Sequence, residues 1–283
     1  MKKKILRKIN KYLSKYFKFT IIKDYDLCLE DYNTKEPFLR KKNLNIGAGR
    51  FRHPYWTNVD FNSDWYKRFN MKIHINHDLF SRKQIPINDN EVNLIYCSHT
   101  IEHIDDSSAL FLLKECYRLL KPGGGVRFTM PNINLLHDAL LRDDLRFFED
   151  IETRRAIAIN NPKYVSIEQY FLDQVASQIA EKDTITDCEK LSDENVRSVL
   201  KKMPLEEALN YFVSKCSIEL HKKTPGNHIS WWNYEKAKKF FKEAGFNNIY
   251  LSGFGQSAFP EMRNTTMFDT TRPNYSLYIE AQK

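Results

Sequence analysis

From residue 43 onward, short apolar strands alternate with helices, and this alternation constrains the fold more than any other feature of the chain. Helical periodicity predicts one helix at about 107–120 and another from Asn233, as its N-cap, to Gly245. Strands that alternate with helices form βαβ units around a mainly parallel sheet, so we expect a doubly wound α/β domain. The predicted strands are Asn43–Gly47, Thr57–Phe61, Lys72–His77, Val92–Cys97, Val126–Met130, Ile249–Gly253 and Tyr275–Ala281.

The first two predicted strands enclose a glycine turn and end near an acid. Gly47-Ala48-Gly49 follows the first strand, and Asp60 comes 11 residues after Gly49. A dinucleotide site would have a third glycine where this chain has Arg52, and its acid would come about 20 residues on. The spacing therefore favours a nucleoside without a pyrophosphate, whose ribose hydroxyls bind Asp60. The alternative is a purely structural turn in which Asp60 caps a helix.

Three ordered segments resemble a known family. Leu44–Phe61 reads LNIGAGRFRHPYWTNVDF, Tyr96–Ile104 reads YCSHTIEHI, and Leu112–Asn132 reads LLKECYRLLKPGGGVRFTMPN. Together they resemble the S-adenosylmethionine (SAM) dependent methyltransferases of the type 11/12 group, above all those predicted among surface-polysaccharide genes. The resemblance is strong over residues 43–132 and weaker over 227–245. It implies a Rossmann-like sheet of seven strands with the last one antiparallel, and SAM as the cofactor.

The resemblance also implies which residues bind SAM, at the carboxyl ends of the first four strands. Asp60 would bind the ribose and Phe61 would lie against the adenine. Asp78 would lie near the adenine amine, and His99 beside the sulfonium. The full set consists of Asn45, Gly47, Ala48, Gly49, Asp60, Phe61, Asp78, Leu79, Ser98 and His99.

Three histidines are candidates for catalysis on the acceptor side, namely His99, His103 and His228. A neutral imidazole can accept the proton of an acceptor hydroxyl as the methyl group arrives. We favour His228 for this role, since His103 has an alternative as a hydrogen-bonded residue that orients the turn before the first long helix. A loop histidine with only structural contacts is the alternative for His228.

The segment from His99 to His103 also matches H-x-x-E-H, a signature of zinc proteases. In a metalloprotease both histidines lie on one helix face and bind zinc. Here a predicted strand leads directly into His99, and the same segment occurs in the methyltransferase resemblance without metal. The sequence therefore predicts no metal.

The net charge of +8 is concentrated in residues 1–23, which contain nine Lys/Arg and no acid, so the rest of the chain is close to neutral. Apolar residues recur there at helical spacing, which predicts a helix that either contacts an anionic membrane surface or packs on its own domain. No segment has the roughly 20 apolar residues of a membrane-spanning helix. The five cysteines are scattered, as in reduced cytoplasmic proteins. We expect a cytoplasmic protein, with residues 1–23 as a candidate peripheral contact at the inner membrane face.

These patterns divide the chain into four parts. Residues 1–42 are a basic helical extension, 43–132 the SAM-binding core, 133–226 a helical insertion, and 227–283 the C-terminal part of the core. The insertion follows the carboxyl end of a strand, where doubly wound sheets bind ligands, so we expect it to cover the active site. A structural domain with no role at the site is the alternative.

The resemblance implies transfer of the SAM methyl group to an oxygen of a small acceptor in capsule or lipopolysaccharide biosynthesis. The acceptor would be a sugar, sugar nucleotide or phosphorylated metabolite, and Arg263 and Arg272 are candidates for binding its phosphate or carboxylate. Nucleic acid is not an expected partner, because the core has no basic surplus and no N/D-P-P-Y-like sequence follows the fourth strand. Two alternatives stay open: an RNA methyltransferase tethered by the tail, and a non-catalytic SAM-fold interaction protein anchored by it.

Overall fold

A computed structural model describes residues 43–53, 55–69, 71–144, 146–148, 166–181 and 187–283 of the chain. The helix predicted for residues 1–23 lies outside the described residues, and so does Cys28. Within the described ranges, no helix is both long enough and apolar enough to cross a membrane.

The described residues form a seven-stranded sheet with the order β3-β2-β1-β4-β5-β7-β6. Strands β1 to β5 pair with one another in parallel, whereas β7 pairs antiparallel with both β5 and β6. This arrangement confirms the predicted fold, a doubly wound Rossmann-like sheet whose last strand is antiparallel. The strands are β1 (Asn43–Ile46), β2 (Trp56–Asp60), β3 (Ile75–Asn76), β4 (Val92–Ser98), β5 (Leu120–Pro131), β6 (Asn248–Leu251) and β7 (Ser276–Gln282).

Helices flank the sheet and fill the stretch between β5 and β6. Asn233 is confirmed as an N-cap, because its Oδ1 accepts a hydrogen bond of 2.8 Å from the backbone N–H of Lys236. The predicted helix at about 107–120 is confirmed as α1. The described α-helices are α1 (Asp106–Leu119), α2 (Ile133–Leu141), α3 (Ile167–Asp173), α4 (Asp193–Lys202), α5 (Leu205–Ser214), α6 (Ile218–Lys223) and α7 (Tyr234–Glu243).

Two strands differ from their predicted lengths by more than one residue. β3 is only two residues long, because it is an edge strand that pairs with the last two residues of β2 and with no other described strand. β5 begins at Leu120 instead of Val126, because Leu120 already pairs with Val92 across an irregularity in the β4–β5 register. Pairing between strands therefore set both boundaries, and hydrophobic periodicity alone did not reveal it.

The sheet and the helices after β5 pack around separate buried clusters. Phe128 and Phe241 are fully buried in the first cluster, which lies between the sheet and helices α1 and α7. Phe171 is fully buried in the second, which is built largely by α2 to α5. Trp231 and Tyr275 also belong to the second cluster. The helical stretch therefore has its own core and joins the sheet region through these two aromatic residues.

The connection between β1 and β2 contains no helix among its described residues. Trp56 and Tyr96 on this face of the sheet are covered instead by Met262 and Phe268 of the loop 254–274. The ring centroids of Trp56 and Phe268 lie 5.1 Å apart, which is a normal distance for an aromatic pair. The long loop is thus packed against the sheet and becomes one wall of the region around the glycine turn.

Candidate active site

The turn after β1 holds two glycines in left-handed backbone conformations at the carboxyl edge of the sheet. The φ angle is +64° at Gly47 and +51° at Gly49. A β-carbon on Gly47 would clash with the side chain of Thr100, whereas a β-carbon on Gly49 would meet nothing within 4 Å. Both positions favour glycine for their backbone conformation, and Gly47 is also required for the close approach of Thr100.

We expect Gly47→Ala to lower the free energy of unfolding by about 2–5 kcal/mol, because left-handed strain of about 1–2 kcal/mol adds to overpacking of about 1–3 kcal/mol. Gly49→Ala is the matched control, since it introduces the strain without the clash. Urea denaturation of both variants measures the difference. Equal losses of unfolding free energy in the two variants would show that Thr100 moves aside without cost and that its contact with Gly47 does not contribute to stability.

Asp60, at the end of β2, closes this turn. Its Oδ2 accepts a hydrogen bond of 2.7 Å from the Gly49 N–H, and its Oδ1 accepts one of 2.7 Å from the Phe61 N–H. Burial raises the pKa of Asp60 above its ordinary value, although these two bonds act in the opposite direction. Each carboxylate oxygen keeps a further lone pair, so Asp60 can accept hydrogen bonds from a ligand while it holds the turn in place.

Two cavities lie on either side of the glycine turn. Cavity A, of about 490 Å³, lies beside Asp60, and cavity B, of about 540 Å³, lies between the turn and the loop 254–274. Both volumes fall in the range of small-molecule sites, about 300–1,000 Å³. The cavities share Gly47, Gly49 and His99, so they meet at the turn.

Every residue of the predicted cofactor set lines at least one of these cavities. Cavity A contains Gly47, Gly49, Asp60, Phe61, Asp78, Leu79 and His99 of this set. Cavity B contains Asn45, Gly47, Ala48, Gly49, Ser98 and His99.

Some of these side chains are exposed to a ligand, and others have structural contacts of their own. Phe61 is 42% exposed, so its ring is available to a flat ligand. Asp78 caps the turn Leu79–Ser81, where its Oδ1 accepts a hydrogen bond of 2.9 Å from the Phe80 N–H. The Ser98 hydroxyl lies 2.8 Å from the Thr129 hydroxyl on the neighbouring strand.

The structure brings the three candidate histidines together around Glu102. His99 follows β4 with a φ of +48°, and its Nδ1 lies 3.0 Å from Glu102 Oε1. His103 and His228 have ring centroids only 4.7 Å apart. The backbone carbonyl of Glu102 accepts hydrogen bonds from Ile229 (3.0 Å) and from Ser230 (3.2 Å), which hold the His228 segment against this turn.

The candidates differ in their access to ligand. His99 and His103 line cavity A, whereas His228 lines neither cavity A nor cavity B. The residues Ile101–His103 form a 3-10 turn directly after β4, so His99 and His103 do not share an α-helix face. The H-x-x-E-H segment therefore lacks the geometry that the zinc-protease signature requires.

Burial and mutual proximity shift the pKa values of this cluster. Burial opposes ionisation of Glu102, but contact with His99 and the fields of His103 and His228 lower its pKa to about 2, so it is a carboxylate. Burial, reinforced by His103, lowers the pKa of His228 to about 4. Its imidazole is therefore neutral at pH 7.

Several residues of this region were not identified from the sequence. Glu102 lies inside the H-x-x-E-H segment and could have been considered as a site residue in its own right. His221 on α6 and Tyr66 also line cavity A, and no local motif marks either of them. Burial, followed by the fields of Asp60 and Glu102, raises the pKa of Tyr66 to about 12.

The two arginines considered for the acceptor do not line the cavities. The guanidinium of Arg263 donates hydrogen bonds to the backbone carbonyls of Ser257 (2.7 Å) and Ala258 (3.3 Å), which stabilise its own loop. Neither Arg263 nor Arg272 lines cavity A or cavity B. Cavity B is lined instead by Arg50 and Arg52.

Comparison with known proteins places one family on this region. Residues 46–128 match the family model described as a methyltransferase domain. This match contains the glycine turn, Asp60 and the turn with His99 and His103. No curated protein sequence matches the chain.

Solved structures with related folds are distant in sequence. A possible O-methyltransferase from Nostoc punctiforme is 13% identical with a TM-score of 0.37, over 92% of this chain and 56% of the other. A SAM-dependent methyltransferase from Archaeoglobus fulgidus is 13% identical with a TM-score of 0.38, over 96% and 98%. A possible histamine N-methyltransferase from Thermotoga maritima is 14% identical with a TM-score of 0.38, over the whole of both chains. The chain thus spans just over half of the Nostoc protein, and these likenesses add nothing to what the strand order shows.

Proposed function

We propose that this chain, whose residues 46–128 match a methyltransferase domain, is a SAM-dependent methyltransferase that transfers the methyl group of SAM to a hydroxyl oxygen of a small acceptor. The acceptor is a sugar, sugar nucleotide or phosphorylated metabolite used in surface-glycan biosynthesis. One observation carries the proposal: the glycine turn closed by Asp60 lines the same cavity as His99 and His103.

Cavity A suits the adenosine part of SAM. Asp60 would accept hydrogen bonds from the ribose hydroxyls, and the exposed ring of Phe61 would stack on the adenine. The amino acid part would cross the turn at Gly47 and Gly49 toward cavity B. The sulfonium would then lie near His99, where the two cavities meet.

A small acceptor agrees with the charge of the two cavities. Cavity A has no Lys or Arg among its lining residues, and cavity B has Arg50 and Arg52. Two guanidinium groups suffice for one phosphate or carboxylate, whereas a nucleic-acid backbone requires an extended basic surface. The acceptor hydroxyl would approach the methyl group from the side of His99 and His103, since in-line positioning is the main requirement of methyl transfer.

We also propose that residues 133–226 cover the site and that the basic residues 1–23 contribute to location and not to chemistry. His221 and Pro225, near the end of this stretch, line cavity A and support the first point. The concentration of positive charge in residues 1–23 supports a peripheral contact of a cytoplasmic protein with an anionic membrane face.

Isotope-labelled SAM identifies the acceptor class. The protein is incubated with labelled SAM and separate fractions of sugar nucleotides, phosphorylated metabolites, lipids and RNA. We expect label in the sugar nucleotide or phosphorylated metabolite fraction. Label in RNA would support the tethered RNA methyltransferase instead, and SAM binding without transfer to any fraction would support a non-catalytic protein.

Asp60→Ala is expected to weaken SAM binding by about tenfold or more, because a charge-assisted hydrogen bond contributes roughly 1.5–3 kcal/mol. Calorimetric titration with SAM measures this change. Asp138→Ala is the matched control, since Asp138 is exposed on α2 and lines neither cavity. Undiminished binding by Asp60→Ala would contradict the assignment of cavity A.

A further inference from the structure

Glu102, His103 and His228 form a compact group of metal-ligating side chains. Each offers one ligand atom, an imidazole nitrogen or a carboxylate oxygen, and these atoms all lie within 4.8 Å of one another. Two histidines and one glutamate are a donor set that binds zinc and other divalent transition metals in proteins. The proximity of the three ligand atoms is the first of three independent observations.

The hydrogen bonds of the two histidines are the second observation. His103 Nδ1 lies 3.0 Å from the carbonyl oxygen of Asn227, and His228 Nδ1 lies 3.1 Å from that of Gln174. A carbonyl oxygen only accepts hydrogen bonds, so both Nδ1 atoms carry the proton and both Nε2 atoms keep a lone pair. Metal-binding histidines are held in the same way, with the second ring nitrogen donating to a carbonyl or carboxylate.

The environment of Glu102 is the third observation. Its side chain is 1% exposed, and its Oε1 lies 3.0 Å from His99 Nδ1. Its Oε2 has no hydrogen-bond partner among the described residues. A buried carboxylate oxygen without a partner is costly, and a bound cation would compensate for that cost.

We propose that Glu102, His103 and His228 bind one divalent transition-metal ion at the wall of cavity A. The sequence alone predicts no metal, since His228 comes 125 residues after His103 and only the fold brings them together. Three protein ligands leave at least one coordination position open, as in catalytic zinc sites. Of the three ligands only His103 lines cavity A, so a ligand in that cavity would reach the ion from the side of His103.

The role of the open coordination position in catalysis rests on the proposed function. A hydroxyl oxygen of the acceptor would be the next ligand of the metal, which makes its proton more acidic. The hydroxyl releases its proton to solvent, and the oxygen forms a bond to the methyl carbon with its own electron pair. The carbon–sulfur bond breaks with its electrons on sulfur, which yields S-adenosylhomocysteine.

Metal binding is measured on the full chain without SAM or acceptor. The protein is freed of metal with a chelator and titrated with Zn²⁺ by calorimetry and with Co²⁺ by visible absorption. We expect one equivalent to bind to the wild-type protein. In Glu102→Gln and His228→Ala, affinity should fall by more than the 10–100-fold typical of outer-shell changes. His137→Ala is the control and should bind the metal as the wild type does. His137 lies on α2, where its ring is beside that of Phe171.

The outcomes separate this proposal from the proposed function. The metal site is overturned if the wild-type protein binds neither Zn²⁺ nor Co²⁺, or if the affinity is unchanged in both variants. The first of these outcomes does not depend on how well a variant folds, because the Co²⁺ spectrum is recorded on wild-type protein. SAM titration in chelator tests the cofactor site separately, and loss of SAM binding with retained metal binding would count against cavity A alone. If wild-type protein that binds the metal in the titration transfers methyl groups at the full rate in chelator, the role of the metal in acceptor binding is overturned.

Discussion

His103→Ala and His228→Ala are each expected to lower the single-turnover rate of methyl transfer by about 10²–10⁴-fold, while the SAM dissociation constant changes little. The two rings lie 4.7 Å apart beside the buried Glu102, and His103 lines cavity A on the side from which the acceptor hydroxyl would approach. As a general base or as a metal ligand, each would make the acceptor hydroxyl a better nucleophile. Neither touches Asp60, which is the proposed contact of the ribose.

Rapid-quench measurements with saturating SAM give the turnover rates, and calorimetry gives the SAM dissociation constants. His137→Ala serves as the control, since His137 is on α2 and lines neither cavity. A histidine that only packs would lower stability and would reduce turnover and SAM binding together. Rates near that of the wild type in both variants would show that positioning alone accelerates the reaction.

Arg127→Met is expected to lower the free energy of unfolding by at least about 3–5 kcal/mol, the usual loss when one partner of a buried ion pair is removed. Arg127 on β5 is 0% exposed and makes a bidentate contact with Asp269, with bonds of 3.0 and 2.6 Å. Its third nitrogen donates a bond of 2.7 Å to Glu280 on β7. Methionine is of similar length but would leave two carboxylates buried without their cation.

Urea denaturation measures this loss. Glu243→Gln is the control, because the Lys114–Glu243 pair is 3.9 Å long with both side chains about half exposed, and such pairs contribute about 0–1 kcal/mol. The Arg127 network also holds Asp269 in the loop 254–274, whose residues line cavity B. Arg127→Met should therefore weaken ligand binding there as well. A loss below about 1 kcal/mol would show that water or a shift of the loop compensates for the missing guanidinium.

The sheet could be predicted from the sequence because its determinants are local. A short run of apolar residues, such as Leu94–Cys97 of β4, favours a buried strand, and Asn233 acts as an N-cap because of bonds within a single turn. The glycine turn with Asp60 is also local, since the bond from Gly49 spans only 11 residues. The chemistry of the cofactor site was therefore visible in one continuous segment.

Strand lengths depend on partners and were harder to predict. The third strand is two residues long because it has only the end of β2 to pair with, and its own residues do not reveal that edge position. The fifth strand extends back through Pro122 and three glycines, because Leu120 and Gly125 pair with β4 and Gly125 also pairs with β7. Neighbouring strands outweighed the weak strand propensity of these residues.

The sequence by itself determined the alternation of strands and helices, the glycine turn and the acid that closes it, because each depends on residues that are close in the chain. Only the tertiary structure decided that His228 lies beside His103 and that Glu102 is buried next to both. The carbonyl of Glu102 binds the N–H groups of Ile229 and Ser230, and the carbonyl of Gln174 orients the His228 ring. These contacts join segments far apart in the chain, and they form only when the helices after β5 pack against the carboxyl edge of the sheet.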